Sequence, residues 1–310
     1  MDYTNNLPLR IVYGDYTFGI HGKGFDYIFS YAQGGLESLV KDGCEWLYRC
    51  PKPTFWRALT DNDRGSGFHL KSGMWMSADM FMNCKKIEVT VDGANQGFPC
   101  APANNQYGGD VYAQEAQITF VYATITVPST EVEVSYSVDK AGQMTVTAHY
   151  FGKEGLPQLP TFGIRFLMPS VAEKYVYAGL SGETYPDRKK GAAQGIFVVD
   201  DLSLTPYLVP QECGMRMDTK WVEISRNKQG THTLRVEAKD SPFAFSCLPY
   251  TALEIENATH HEELPLPRRT VFCVYGAVRG VGGIDSWGSD VEASYHINAE
   301  KDIKYSFVIV

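Results

Sequence analysis

ITFVYATITV, residues 118–127, is followed by EVEVSYSV (131–138) and MTVTAHY (144–150), and in all three stretches side-chain character changes with a period close to two. Successive side chains of an extended chain point to opposite faces, so this period marks β-strands. In the second stretch Val132, Val134, Tyr136 and Val138 fall on one face and Glu131, Glu133, Ser135 and Ser137 on the other. That is how a strand reads in an antiparallel sheet with one buried face. Asp139-Lys140-Ala141-Gly142 then predicts a hairpin turn into the third stretch.

The same reading, carried outward, predicts strands over 9–13, 16–21, 26–31, 87–92, 162–168, 174–179, 194–199, 221–226, 233–238, 243–247, 270–278, 291–297 and 304–310. Helix is confined to 67–81 and 250–256. So many short strands predict an all-β sandwich of large antiparallel sheets. No Gly/Ser linker divides the chain, so 1–310 is expected to be one domain, with 95–109 as a long surface loop or an unplaced boundary.

Hydrophobic residues at 44% and charged residues at 21% are ordinary for a globular protein and exclude disorder. The net charge of -8 is dispersed, and no run of Lys and Arg could track a phosphate backbone, which argues against nucleic acid as a partner. The seven cysteines form no C-x-x-C pair and are expected to be reduced core thiols. Residues 1–6 carry neither a basic nor an apolar targeting segment, and no stretch is long enough to span a membrane. A cytoplasmic location is the expectation.

Four clusters could carry chemistry. Phe55 to Gly65 (FWRALTDNDRG) gathers two arginines and two carboxylates, and 60–67 reads as a loop. Asp61 and Asp63 could bind a cation or act as an acid/base pair; equally, they could bind turn amides and pair with Arg57 or Arg64. Gly280 to Gly288 (GVGGIDSWG) lacks the G-K-[ST] of a phosphate loop, but its glycines permit a sharp fold that presents Trp287. An indole face stacks on the apolar face of a pyranose, and a corner-packing tryptophan is the alternative. In His260-His261-Glu262-Glu263 the histidines are adjacent rather than four apart, so a His–Glu pair pinning a loop is preferred to a metal. Tyr185, Asp187 and Arg188 could contact a polar ligand or fix their turn against a neighbouring loop.

Five patches resemble, in order, the small chain of β-galactosidases, which is also the C-terminal domain of the single-chain members. Phe55 to Gly65 resembles W-R-A-P-T-D-N-D-x-G and Gly179 to Arg188 resembles G-P-x-E-x-Y-P-D-R. Pro210 to Arg216, with Trp221 following, resembles P-Q-E-x-G-x-R; His260 to Leu264 resembles H-x-x-E-L; Gly280 to Gly288 resembles G-x-G-G-D-D-S-W. The match runs from about 54 to 310, with strands over 9–50 expected in the same sandwich. Leu59, Leu180-Ser181-Gly182, Ile284 and Tyr275 depart from the pattern.

The resemblance implies a galactose mutarotase-like antiparallel supersandwich docked on a large chain. That partner would carry the two catalytic glutamates and Mg2+, with Na+ as a second candidate ion. Hydrolysis of terminal β-D-galactosides such as lactose would proceed with retention of configuration through a galactosyl-enzyme. This chain would hold no catalytic residue and no metal. It would supply Trp287, Asp285, Asp61 and Asp63 to the substrate, with Gly65, Ser66 and Gly67 in a loop near the entrance. Met1 just before the family region fits a separately encoded subunit. A stand-alone aldose epimerase, needing a His acid and a Glu base, and a non-catalytic carbohydrate-binding module are the alternatives.

Overall fold

The computed structural model describes residues 8–101, 111–226 and 232–310. Among these, the strands build three antiparallel sheets. The longest has ten strands, in the order Gln194–Val199, Lys174–Leu180, Trp221–Ser225, Thr233–Ala238, Ile303–Ile309, Met144–Tyr150, Glu131–Asp139, Glu115–Ala123, Asn83–Val91, Ala94–Gly97. A five-stranded sheet runs Arg216–Thr219, Phe243–Leu248, Thr270–Val278, Thr161–Met168, Arg49–Thr54. A six-stranded sheet runs Cys44–Glu45, Gly35–Lys41, Phe25–Ser30, Thr17–Gly22, Leu9–Tyr13, Val111–Ala113.

Both smaller sheets pack on one face of the long sheet. Val132, Val134, Tyr136 and Val138 are buried there, as the alternation predicts. Each such side chain contributes about 1.5–3 kcal/mol of apolar burial. Phe29 of the six-stranded sheet lies 5.3 Å from Tyr136, ring to ring. At the other end Tyr150 meets Phe162 at 5.6 Å and Tyr177 meets Phe245 at 5.5 Å, joining the long sheet to the five-stranded one. The buried apolar cluster thus runs from Leu9 to Ile309.

The 139–142 hairpin forms, with Gly142 at φ +79° and the Asp139 carboxylate accepting from Ala141 and Gln143 amides. Several expectations are corrected. The strand over 118–127 ends at Ala123, because the Thr124 amide turns back to the Thr130 carbonyl. Residues 291–297 are not a strand: Ala293–Tyr295 is a 3-10 turn, and the His296 ring bonds the Val291 carbonyl. The helix over 67–81 breaks into Phe68–Ser72, Gly73–Trp75 and Ala78–Phe81, interrupted at Ser77 with φ +61°. Arg49–Thr54, whose two prolines hide it from a strand pattern, is tolerated at a sheet edge. Within 95–109, Ala94–Gly97 supplies an edge strand to 97, and 102–110 lies outside the described residues.

Candidate functional site

The expected loop over 60–67 begins as a helix, Asp61–Gly65, closed by a capping box. Thr60 accepts from the Asp63 amide, and the Asp63 carboxylate accepts from the Thr60 amide at 3.0 Å. Each bond satisfies an amide that a helix start would otherwise leave unpaired. Asp63 is buried and holds two cations. Arg57 donates to its two oxygens at 2.7 and 3.1 Å, and Arg279 donates to Oδ1 at 3.2 Å. Arg279 also pairs with Asp290 and lies 3.9 Å over the Phe68 ring. Neither guanidinium could be desolvated without such partners.

This buried cluster carries the glycine-rich loop. Arg57 donates to the Gly280 carbonyl at 3.1 Å, and the Asn62 amide donates to the Val281 carbonyl at 2.9 Å. Asp187 accepts from the Val281 and Gly282 amides at 3.0 and 2.8 Å. Gly288, at φ +84°, lies so close to the helix end that a Cβ there would stand 2.6 Å from the Gly65 carbonyl oxygen. At the tip, Asp285 accepts from the Trp287 and Ser289 amides and the Ser289 hydroxyl, and these bonds hold its carboxyl below its ordinary pKa. Trp287 rises from this pinned loop with 92% of its surface exposed, so it does not pack a sheet corner.

Asp61 and Asp63 diverge. Asp61 faces outward, accepting from the Tyr207 hydroxyl at 2.8 Å and lying 3.6 Å from Arg64. Asp63 points inward, so the two do not form an acid/base pair. Its contacts are those of the turn-binding, arginine-pairing reading. Gly65 touches Gly288, while Ser66 donates back to the Asp63 carbonyl and Gly67, at φ +70°, turns the chain into the next helix.

Beside the cluster, Tyr185 donates to Glu212 at 3.4 Å. Burial, then Glu183 and Asp63, push the Glu212 carboxyl up to about 8 against the pull of Arg57. His260 pairs with Glu263 at 3.2 Å and His261 bonds the Tyr207 carbonyl, which ties those loops together. No three His, Cys, Asp or Glu side chains gather as a metal site among the described residues. His21, His149 and His260 face carboxylates in exposed pairs, and His296 lies 3.7 Å from Asp290, a carboxylate already bound by Arg279; none of these is the His acid and Glu base of an epimerase in one concave sheet.

Arg279, Asp290, Tyr207 and Glu256, which accepts from the Leu59 amide and from Arg64, are site residues the sequence reading missed. Arg279 had a signal: an arginine ending the apolar strand Thr270–Val278 needs a counter-ion. Tyr207 and Glu256 come from segments distant in sequence and had none.

A family model described as Beta galactosidase small chain matches residues 21–309. The chain is 55% identical to a protein named Beta-galactosidase small subunit from Latilactobacillus sakei, over 98% of each chain. It is 37% identical to a Beta-galactosidase of Halalkalibacterium halodurans and 32% to one of Streptococcus thermophilus, covering 97% of this chain but 28% of each of theirs. A galactose mutarotase related enzyme from Lactobacillus acidophilus superposes over 95% of the chain and 96% of its own, with a TM-score of 0.47 and 11% identity. Matched almost end to end by that family model and by the L. sakei subunit, this chain belongs to the β-galactosidase small chain family.

Proposed function

We propose that the chain completes the sugar site of a large catalytic β-galactosidase chain, with Trp287 as the stacking platform for a terminal β-D-galactoside such as lactose. The observation that carries this is the combination of an indole exposed at 92% with a backbone fixed by Asp285, Asp187 and Asn62. An exposed aromatic ring on a rigid loop gains contact area at little entropic cost. Asp285 holds the loop tip and Asp61 offers an outward carboxylate for sugar hydroxyls. Asp63 serves from below as the anchor of Arg57 and Arg279. The catalytic glutamates, Mg2+ and Na+ belong to the large chain, and the assembled enzyme works in the cytoplasm. Supporting this division, the chain spans 28% of the single-chain relatives' length.

The test is hydrolysis of a chromogenic galactoside by this chain alone, by its cognate large chain alone, and by both together. Activity is expected from the mixture only. In the mixture Trp287→Ala should raise KM roughly tenfold, the loss of one stacking contact, with the complex still forming. An unchanged KM, or turnover by this chain alone, would defeat the proposal.

A further inference from the structure

Between Gly67 and Asn83 the chain presents a surface that the Trp287 loop does not use. The segment starts beside Gly65, which abuts Gly288, and it is anchored from beneath. Phe68, Ser72, Trp75, Ala78 and Asp79 are buried; the Trp75 indole donates to the Pro157 carbonyl at 2.9 Å and Asp79 pairs with Arg165. Leu70, Met74, Met76, Met80 and Phe81 face solvent instead, with Leu70 81%, Phe81 60% and Met80 59% exposed. Val127, 78% exposed, joins them, its amide directed at the Met74 sulfur at 3.4 Å. Lys71 is the one exposed charged residue from Phe68 to Met82, in a chain of net charge -8.

We infer that Leu70, Met74, Met76, Met80, Phe81 and Val127 form the face on which the large β-galactosidase chain docks. This rests on the reading that the chain completes that partner's site. Contiguous exposed apolar surface on an ordered backbone marks a protein interface, and thioether side chains conform to a partner's relief. The occupant follows from two observations. In the single-chain relatives the segment matching this chain is joined to the other 72% of the polypeptide (100 less 28), so this fold carries its partner tethered there. A partner whose sugar site Trp287 lines must also sit against the Gly65–Gly288 contact, and the apolar segment begins at that contact. The competing apolar face, Ile196 and Val198, lies on the edge strand Gln194–Val199 and would recruit another strand, as from a second copy.

Leu70→Asp with Met80→Asp should weaken binding to the cognate large chain on the order of 100-fold, as loss of central apolar contacts does. Ile196→Asp with Val198→Asp should leave it within about threefold, as substitutions outside an interface do. A second measurement needs no variant. Hydrogen peroxide transfers one oxygen to a methionine sulfur, giving sulfoxide and water, and oxidation of Met76 and Met80 should slow about tenfold in the complex, as access is lost. Wild-type binding by the Leu70/Met80 variant, or equal oxidation rates free and assembled, would overturn the docking face. If those results come with a raised KM for Trp287→Ala, the docking face fails and the platform stands. If protection is seen and Trp287→Ala is silent, the platform fails and the docking face stands.

Discussion

Asp63 is one carboxylate between two buried guanidinium groups, and removing its charge leaves Arg57 and Arg279 facing each other out of water. Asp63→Asn should therefore cost about 3–5 kcal/mol of unfolding free energy, the usual penalty for stranding one side of a buried pair. Asp61→Asn, at the surface, should cost at most about 1 kcal/mol. Urea unfolding of both variants checks the contrast, and equal small losses would show that the cluster does not stabilise the fold. Glu212 gives a pH signature with the opposite sign to an ordinary ion-paired carboxylate. Its folded pKa is raised by burial from 4.5 to about 8, so the folded protein holds a proton that the unfolded chain has released. Stability from this group is then present below pH 4.5 and lost as pH rises towards 8. Glu212→Gln keeps the hydrogen-bonding shape without the titration, so the variant should gain on wild type in melting temperature from pH 5 to pH 8. Parallel curves would assign the pH dependence elsewhere. The sequence made Asp61 and Asp63 visible as a pair but not their division of labour, because only the capping box turns one inward. Thr60-x-x-Asp63 is itself the signal that could have found the helix.

The helix Asp61–Gly65 and the loop from Gly280 to Gly288 work as one element, joined where Gly65 and Gly288 touch. Gly288→Ala places a methyl group at 2.6 Å from a backbone oxygen and demands φ +84° of a residue that disfavours it. The loop must lift, and Trp287 moves with it. In the reconstituted enzyme KM should rise by roughly three- to tenfold, matching about 1 kcal/mol of lost positioning, while the subunit's own melting temperature changes little. A melting temperature that fell as far as that of Asp63→Asn would instead make the contact part of the core. Strands were the legible elements because their signal is local: Thr270–Val278 is read to the residue from a near-continuous apolar run and Thr233–Ala238 from its alternation. Residues 291–297 alternate in the same way yet form a 3-10 turn, since Asp290 is drawn to Arg279 and His296 to the Val291 carbonyl. Tertiary polar contacts override the local pattern there, and they are what a sequence does not display.

At the scale of the molecule, a sandwich of large antiparallel sheets follows from strand density and alternation, whereas the division into one long sheet covered by two shorter ones, and the order of strands, depend on pairings far apart in sequence. The strand Ile303–Ile309 enters the middle of the ten-stranded sheet, between Thr233–Ala238 and Met144–Tyr150, which nothing in its own residues announces. The core-thiol expectation likewise holds for Cys213, Cys247 and Cys273 but not for the half-buried Cys44, Cys50 and Cys84 or the exposed Cys100; all seven cysteines are free. Burial pushes the Cys273 thiol up to about 11 and Cys213 to about 12, and Cys247 is raised by the same cause. The thiolate is the reactive form, so these groups are protected both by access and by protonation. Cys247 belongs to the main apolar cluster, and exposing it requires opening the sandwich, whereas Cys273 and the loop residue Cys213 sit in two smaller clusters. At pH 8 a chromogenic disulfide reagent should therefore label Cys100 at once. Cys247 should react with a rate constant that rises with urea in step with global unfolding, and Cys213, held in a loop cluster, should react no later than Cys247. If Cys247 on the central strand Phe243–Leu248 reacted well ahead of that transition, the five-stranded sheet would be opening apart from the rest, and the cooperative core inferred from the packing would divide there.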